Sequence, residues 1–373
     1  MKQNRNSEYT LNFGPQHPST HGLLRLVLTL QGEEIVACSP EIGYLHRGIE
    51  KIVTHKNFSS IIPYVDRLDY LAPAIQEHTY VRTIEKLLEI KVPRRALIIR
   101  TIFDELTRIS SHIMAIGCAT YDLGCLSLFL YGFEEREKIM DIFKTTTGNR
   151  MHLAYYVFGG VRNDVSREIL NAIKLYINRI NFYLDAVRKL ALDNRIFQDR
   201  TKGVGVISKE MAIKNGISGV NLRASGVPYD VRKSVPYGMY KELSFEPITQ
   251  TDGDCHARNM LRFLEIKQSI TLIKQCLNLI EPGEILNSQA LEFRSGIKLP
   301  QNAAVYSASE TPRGEFGIHM FVGEDQAKPH RIHFKSPSFA AIQVLKQVLV
   351  GHTIPDITAI LGSLDFVMGC CDR

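Results

Sequence analysis

Leu24, Leu26, Leu28 and Leu30 recur at every second position, the period of a strand with one buried face. Ile35 to Cys38 resumes the pattern after Gln31-Gly32-Glu33-Glu34, so Leu23 to Cys38 reads as a β-hairpin. From about Phe58 the period becomes helical. Val81, Ile84, Leu87 and Leu88 share one face, and Val92-Pro93 closes that helix. Ile99, Ile102, Leu106, Ile109, Ile113 and Ile116 form a longer apolar stripe, with Arg100, Asp104 and Arg108 four apart on another face. Ile113 to Phe133 reads as buried helical core broken near Asp122, and Glu134 to Thr146 as a short charged helix. Gly148 to Gly160 is a loop, after which Asn163, Asp164 or Ser166 caps a long helix running to about Asp193. Gly203 to Gly238 is irregular. A last long helix covers about Ala257 to Ile280 and stops at Glu281-Pro282-Gly283. Strand-like runs follow at Ala303–Ala308, Phe316–Val322 and Arg331–Phe334, then a helix near Phe339–Val350. The expected fold class is α+β. An N-terminal antiparallel sheet occupies residues 1–56, a helical bundle 57–290 and a β-containing part 291–373.

Composition narrows the function classes. A chain of 373 residues with 45% hydrophobic positions can bury a large core. Its net charge is +6, but Lys and Arg never run beyond two in a row, which argues against nucleic-acid binding. An acidic partner or an anionic membrane surface matches that balance better. The seven cysteines are scattered, odd in number and nowhere spaced C-x-x-C. This disfavours a secreted disulfide framework, and the chain by itself is not expected to hold zinc or an iron–sulfur cluster. Met1 to Thr10 is polar, so no leader segment is expected. Ile113 to Phe133 lacks Lys and Arg but contains Gly117, Asp122 and Gly124; buried core is expected there rather than a membrane span.

Three constellations can carry chemistry. Asn12 to Gly22 holds two glycines, two prolines, His17 and His21, and so forms a shaped, titratable loop at the root of a strand. It is either an ordinary turn with surface histidines or a site; Pro18 breaks the helical geometry that a two-histidine metal site requires. Asp122 stands in an apolar run, where a carboxylate is costly unless partnered. It either closes a turn before Leu123-Gly124 or pairs with a histidine, raising that histidine's proton affinity. In Asp66-Arg67-Leu68-Asp69-Tyr70, charges flank a phenol that can donate a hydrogen bond; alone, this also fits a solvated helix start. No G-x-S-x-G, phosphate loop or dinucleotide fingerprint occurs, which disfavours hydrolase, kinase and Rossmann chemistry.

Gly14-Pro-Gln-His-Pro-Ser-Thr-His21-Gly, Gly43-Tyr-Leu-His-Arg-Gly-Ile-Glu-Lys51, Asp66-Arg-Leu-Asp-Tyr70, Phe133-Glu-Glu-Arg-Glu-Lys138 and Gly148-Asn-Arg-Met-His152 resemble the quinone-site subunit family of respiratory complex I, the one called 7 or D. The likeness runs from about Leu11 to Asp372-Arg373. It implies a hydrogenase large-subunit-like fold, in a peripheral-arm subunit of proton-pumping NADH:ubiquinone oxidoreductase. The implied neighbours are an iron–sulfur subunit carrying the terminal 4Fe–4S cluster, other peripheral-arm subunits and a membrane-arm subunit at the quinone channel. Ubiquinone is the implied substrate, NAD acts at the level of the whole complex, and the chain binds no cofactor or metal of its own. By the matching positions, His21 and Tyr70 bind and protonate the quinone headgroup and Asp122 braces His21. Arg47, Arg67 and His152 lie near the partner's cluster. A non-catalytic scaffold of the same assembly is the alternative.

The family is also similar to the nickel–iron hydrogenase large subunit. Here Asp69, Ala72 and Val367 stand at three of that enzyme's four thiolate positions and Cys370 at the fourth, so hydrogenase activity is not expected. Departures from the family include Cys370-Cys371, Gln76-Glu77-His78-Thr79 and Ser208 to Ser218. The implied location is the matrix side of the mitochondrial inner membrane. The cytoplasmic face of a bacterial inner membrane is the alternative.

Overall fold

The computed structural model describes residues 8–17, 23–288 and 296–373. It is mixed α and β, with an N-terminal sheet, a helical middle and a C-terminal sheet. The hairpin is present as β2 (Arg25–Gln31) and β3 (Glu34–Glu41), and Leu24, Leu26, Leu28 and Leu30 are fully buried. A further strand, β1 (Glu8–Phe13), adds antiparallel to β2 with Leu11 opposite Leu28 and Phe13 opposite Leu26. The sequence does not announce β1 because it is an exposed edge: only its last residues touch the core. The inner face of this sheet is covered by C-terminal side chains, among them Ile342, Leu345, Leu349, Ile360 and Phe366.

The middle is built on four long helices, Pro73–Leu87, Arg94–Asp122, Leu126–Thr147 and Cys255–Leu279. Pro73 sits in the first turn of its helix, where a missing N–H costs nothing. Several helical stretches differ from the sequence reading. The helix expected from Glu134 starts at Leu126, because the break at Gly124 (φ 91°) occupies only three residues. The long helix expected to reach Asp193 is divided into Arg167–Arg179, capped by Ser166, then Asn181–Val187 and a wide turn at Arg188–Leu192. The C-terminal strands Ala304–Thr311, Gly314–Phe321 and Arg331–Lys335 form one antiparallel sheet near the expected positions. The region expected as one helix near Phe339–Val350 is two, Pro337–Gln343 and Leu345–Val348. Beyond it, Ile354–Leu364 and Met368–Asp372 are also helical.

The polar face of the 94–122 helix is not solvated. Arg100, Asp104 and Arg108 are fully buried, and their partners lie mostly on other elements. Arg100 forks onto Glu85 (2.7 and 3.0 Å), and Asp104 meets His78 (2.6 Å) and the Tyr156 hydroxyl (2.9 Å). Glu105 gathers Arg108 (3.3 Å), Arg232 (3.1 Å), the Tyr240 hydroxyl (2.5 Å) and Ser269 (2.6 Å). Arg223 in turn bonds Glu265 (2.6 Å) and Glu310 (2.8 Å). Buried charges of this kind are stable only with their partners in place. Glu105→Gln keeps the volume but removes the charge that pairs with buried Arg108 and one of the two that pair with buried Arg232. A loss of roughly 3–5 kcal/mol is expected, read as the shift in denaturant midpoint of the full chain.

Candidate functional site

Tyr70 projects from the turn between the short helix Ile62–Val65 and the 73–87 helix, and it is 36% exposed. Beside it Asp69 is buried. Arg313, from the turn between the 304–311 and 314–321 strands, reaches across the fold to meet it. Its Nη1 donates to Asp69 Oδ2 (3.0 Å) and Ser111 Oγ (3.0 Å), and its Nη2 to Asp365 Oδ1 (3.2 Å). That turn can seat deeply because of two glycines: a Cβ on Gly219 would fall 2.4 Å from the Gly314 Cα. Burial opposes the charge on Arg313, yet Asp365 and Asp69 together hold its pKa above the ordinary value. Burial pushes Asp69 up against the pull of Arg313. It also pushes Arg262 down to about 10, although Asp365 lies 3.8 Å from its Nε. The Tyr70 phenol is raised by burial; Arg313 opposes this and Asp69, Asp365 and Cys118 add to it. Tyr70 therefore stays protonated and able to donate.

Asp122 is the last residue of the 94–122 helix. The turn after it is closed by backbone bonds, from Gly124 N–H to the Tyr121 carbonyl (2.9 Å) and from Cys125 N–H to the Thr120 carbonyl (2.8 Å). A carboxylate at a helix C-terminus faces the negative end of the macrodipole, which is an unfavourable place for its charge. Its Oδ2 would lie 3.6 Å from a Cβ on Gly362. Burial lifts the Cys118 thiol to about 12, and Asp365 and Asp122 add to the shift. Cys118 is thus an electrostatic neighbour of both Tyr70 and Asp122, although these residues are 52 positions apart in the chain. His21 lies outside the described residues. His17 is described, and its ring rests 4.2 Å from that of Phe13.

Arg47, Arg67 and His152 converge on one partly exposed face. Arg47 Nη2 donates to the carbonyls of Arg67 (3.1 Å) and Gly369 (3.3 Å). Arg67 Nη1 donates to the Pro63 carbonyl (2.7 Å) and Asp66 Oδ1 (2.9 Å). His152 Nδ1 lies 3.7 Å from the same Asp66 oxygen. Burial, then Arg67 and Arg47, push the His152 pKa down. The chain's C-terminal segment fixes the loop that carries Arg47: Asp372 accepts from the backbone N–H of Gly43 (3.0 Å) and Leu45 (2.8 Å), and Arg373 bonds Glu50 (3.0 Å).

Residues 122–295 and 286–373 match the family model described as "Respiratory-chain NADH dehydrogenase, 49 Kd subunit". The chain is 39% identical to the NADH-ubiquinone oxidoreductase 49 kDa subunit of Pylaiella littoralis, over 98% of this chain and 96% of that protein. It is 42% identical to the D subunit of NADH-quinone oxidoreductase from Ehrlichia ruminantium (strain Gardel), covering 98% of each. It is 40% identical to the corresponding D subunit from Hydrogenovibrio crunogenus over the full length of both. The chain belongs to the 49 kDa family of respiratory-chain NADH dehydrogenase subunits. As a 49 kDa family member it is a subunit of that oxidoreductase, and its partners are other subunits of the complex.

Asp69 is engaged by Arg313, and the Cys370 thiol is pushed up to about 12 by burial, with Asp69 adding to the shift. Sequence reasoning did not find Arg313, Ser111, Arg262 or Asp365. Asp365 carried the same signal that singled out Asp122, a carboxylate inside an apolar run. The other three are ordinary residues until the fold brings them together. Arg313→Lys keeps the charge but loses the planar fork that reaches three groups at once. A loss of about 1.5–3 kcal/mol per charge-assisted bond given up is expected, and Arg313→Gln should cost more; denaturant midpoints of the two variants check the order.

Proposed function

We propose that this chain forms the quinone-reduction site of a proton-pumping NADH:ubiquinone oxidoreductase, together with a neighbouring iron–sulfur subunit that carries the terminal 4Fe–4S cluster. The observation that carries the reading is the placing of Tyr70. It is a protonated, partly exposed phenol, ringed by buried charges and sharing Cys118 as a neighbour with Asp122. Two-electron reduction of a quinone puts negative charge on two oxygens, which need hydrogen-bond donors and protons in a place screened from water. Tyr70 donates to one quinone oxygen. His21, braced by Asp122, serves the other and holds the proton to be delivered. The partner's cluster supplies the electrons.

The face with Arg47, Arg67 and His152 is open in this chain, and the iron–sulfur subunit closes it. Positive charge there favours the reduced cluster. The names of the relatives support quinone as the substrate class. Among the described residues no helix is long and apolar enough to cross a membrane. The chain accordingly sits at the membrane surface, against a membrane-arm subunit at the quinone channel. The matrix side of the mitochondrial inner membrane is our preferred location.

Tyr70→Phe and His21→Ala, each in the assembled complex, should lower quinone-reductase turnover by about 100-fold or more while leaving assembly intact. Turnover at the wild-type level with normal assembly would establish the scaffold role instead. Asp122→Asn removes the charge that favours the His21 imidazolium. The alkaline limb of the pH–rate profile, which reports the essential acid, should therefore move to lower pH; an unmoved limb refutes the brace. A His152 variant should flatten the pH dependence of the cluster's potential in a redox titration, and an unaltered slope excludes that residue.

A further inference from the structure

Behind the Arg47–Arg67–His152 face lie two carboxyl groups that the chemistry above does not use. Asp66, just before the Tyr70 turn, and Glu77, on the 73–87 helix, are both fully buried and lie within hydrogen-bonding reach of each other. Two buried carboxylates side by side cannot both keep their charge; one must hold a proton. Each carboxyl group has donors that favour its anion, so the proton is shared between them and not fixed on one. Glu77 Oε1 accepts from Ala154 N–H (2.7 Å), and Oε2 accepts from Tyr155 N–H (2.9 Å) and Tyr156 N–H (3.2 Å). Three convergent N–H groups form a nest that stabilises the anion. Asp66 has one donor, Arg67 on Oδ1 (2.9 Å), while its Oδ2 is buried and meets no N–H or O–H.

We propose that Asp66 and Glu77 hold a single exchangeable proton shared between the two carboxyl groups, and that His152 is the group through which it leaves and returns. The transfer is a simple one. The O–H bond on Asp66 breaks, an N–H bond forms at His152 Nδ1, and the proton moves without electrons. The reverse step restores the acid. At 3.7 Å the two atoms are beyond direct hydrogen-bond distance, so a small side-chain rotation or one bridging water completes the path. His152 Nδ1 is itself buried and makes no close hydrogen bond, and the Asp66 backbone beside the ring favours its protonated form.

The groups facing the pair are Arg67 from the Asp66 turn, Arg47 behind it, His152 from the loop after the 126–147 helix, and the Tyr156 phenol beside Glu77. Burial lifts Asp66 to about 7, against the pull of Arg67 and the Glu77 hydrogen bond; burial, then the Asp66 charge, lift Glu77 to about 8 against the backbone N–H groups. Glu77 also holds the loop in shape: His152 and Ala154 adopt positive φ (54° and 43°), and the nest over Glu77 begins at Ala154. Both residues are thus proton-holding and positioning groups, set one step behind the cationic face. The pair's existence does not depend on the quinone reading; only its use in turnover does.

The test is infrared difference spectroscopy of the oxidised, intact complex without quinone turnover, recorded between mildly acidic and mildly alkaline buffer. The wild type should show one buried protonated-carboxyl C=O band that shifts in D₂O and is lost as the pH rises through neutral. Asp66→Asn, a near-isosteric stand-in for the protonated acid, should assemble and lack that band. A band unchanged in Asp66→Asn overturns the proposal. A second readout is the slope of thermal midpoint against pH. The folded pair keeps a proton that the unfolded chain gives up in the ordinary carboxylate range near about 4. Stability from it is therefore full below that range and drains as pH climbs through about 7 to about 8. Asp66→Asn should flatten this fall by one proton's worth, and an unchanged slope counts against the pair. A His152→Gln complex that retains the band but exchanges it in D₂O more slowly supports the His152 route; unchanged exchange removes it. Failure of Tyr70→Phe to affect turnover leaves all of these spectra as predicted, so the two readings fall separately.

Discussion

A guanidinium cannot be buried bare, and this protein buries many. Arg100, Arg108, Arg223, Arg232, Arg258 and Arg262 are among its largest fully enclosed side chains, and Arg313 is nearly so. Each needs partners in fixed places, because desolvation costs several kcal/mol per ion and only good geometry returns it. The partners come from remote segments. Glu105 ties the 94–122 helix to the 231–240 region and the 255–279 helix. Arg313 ties the C-terminal sheet to the Tyr70 turn, the 94–122 helix and the segment after the 354–364 helix. The fold is therefore specified by paired charge as much as by apolar burial, and an error in any one segment leaves an ion unpaired.

The same constraint positions the candidate site. Tyr70 stands beside Asp69, which Arg313 holds. Arg47 is held by carbonyls at Arg67 and Gly369, and its loop by Asp372. The side chains turned outward are thus placed by groups turned inward, the arrangement a preorganised site requires. The open face is what remains once the internal charges are matched, and a partner subunit is what would screen it from water.

Much of this was legible in the chain. The leucine alternation gave β2 its buried face, since a period of two has only one structural meaning. The isoleucine stripe gave the 94–122 helix, and the ordered run of motifs gave the family. The misses have physical causes. β1 is an exposed edge with little apolar signal, and the break between Gly124 and Leu126 is too short to show in a helical period. The burial of Arg100, Asp104 and Arg108 on the 94–122 helix was not legible, because spacing carries no information about what lies opposite.

By itself the sequence settled the α+β class, most of the elements, the family and a set of chemically capable residues, all of which follow from local periodicity and ordered motifs. The tertiary structure alone decided which of those residues meet. It brought Tyr70 and Asp122 to a common neighbour, gathered Arg47, Arg67 and His152 on one face, and added Arg313, Asp365 and the Asp66–Glu77 pair, which no spacing rule connects. Local pattern is governed by the backbone's own repeat, whereas the partner of a buried charge is chosen by where the whole chain closes.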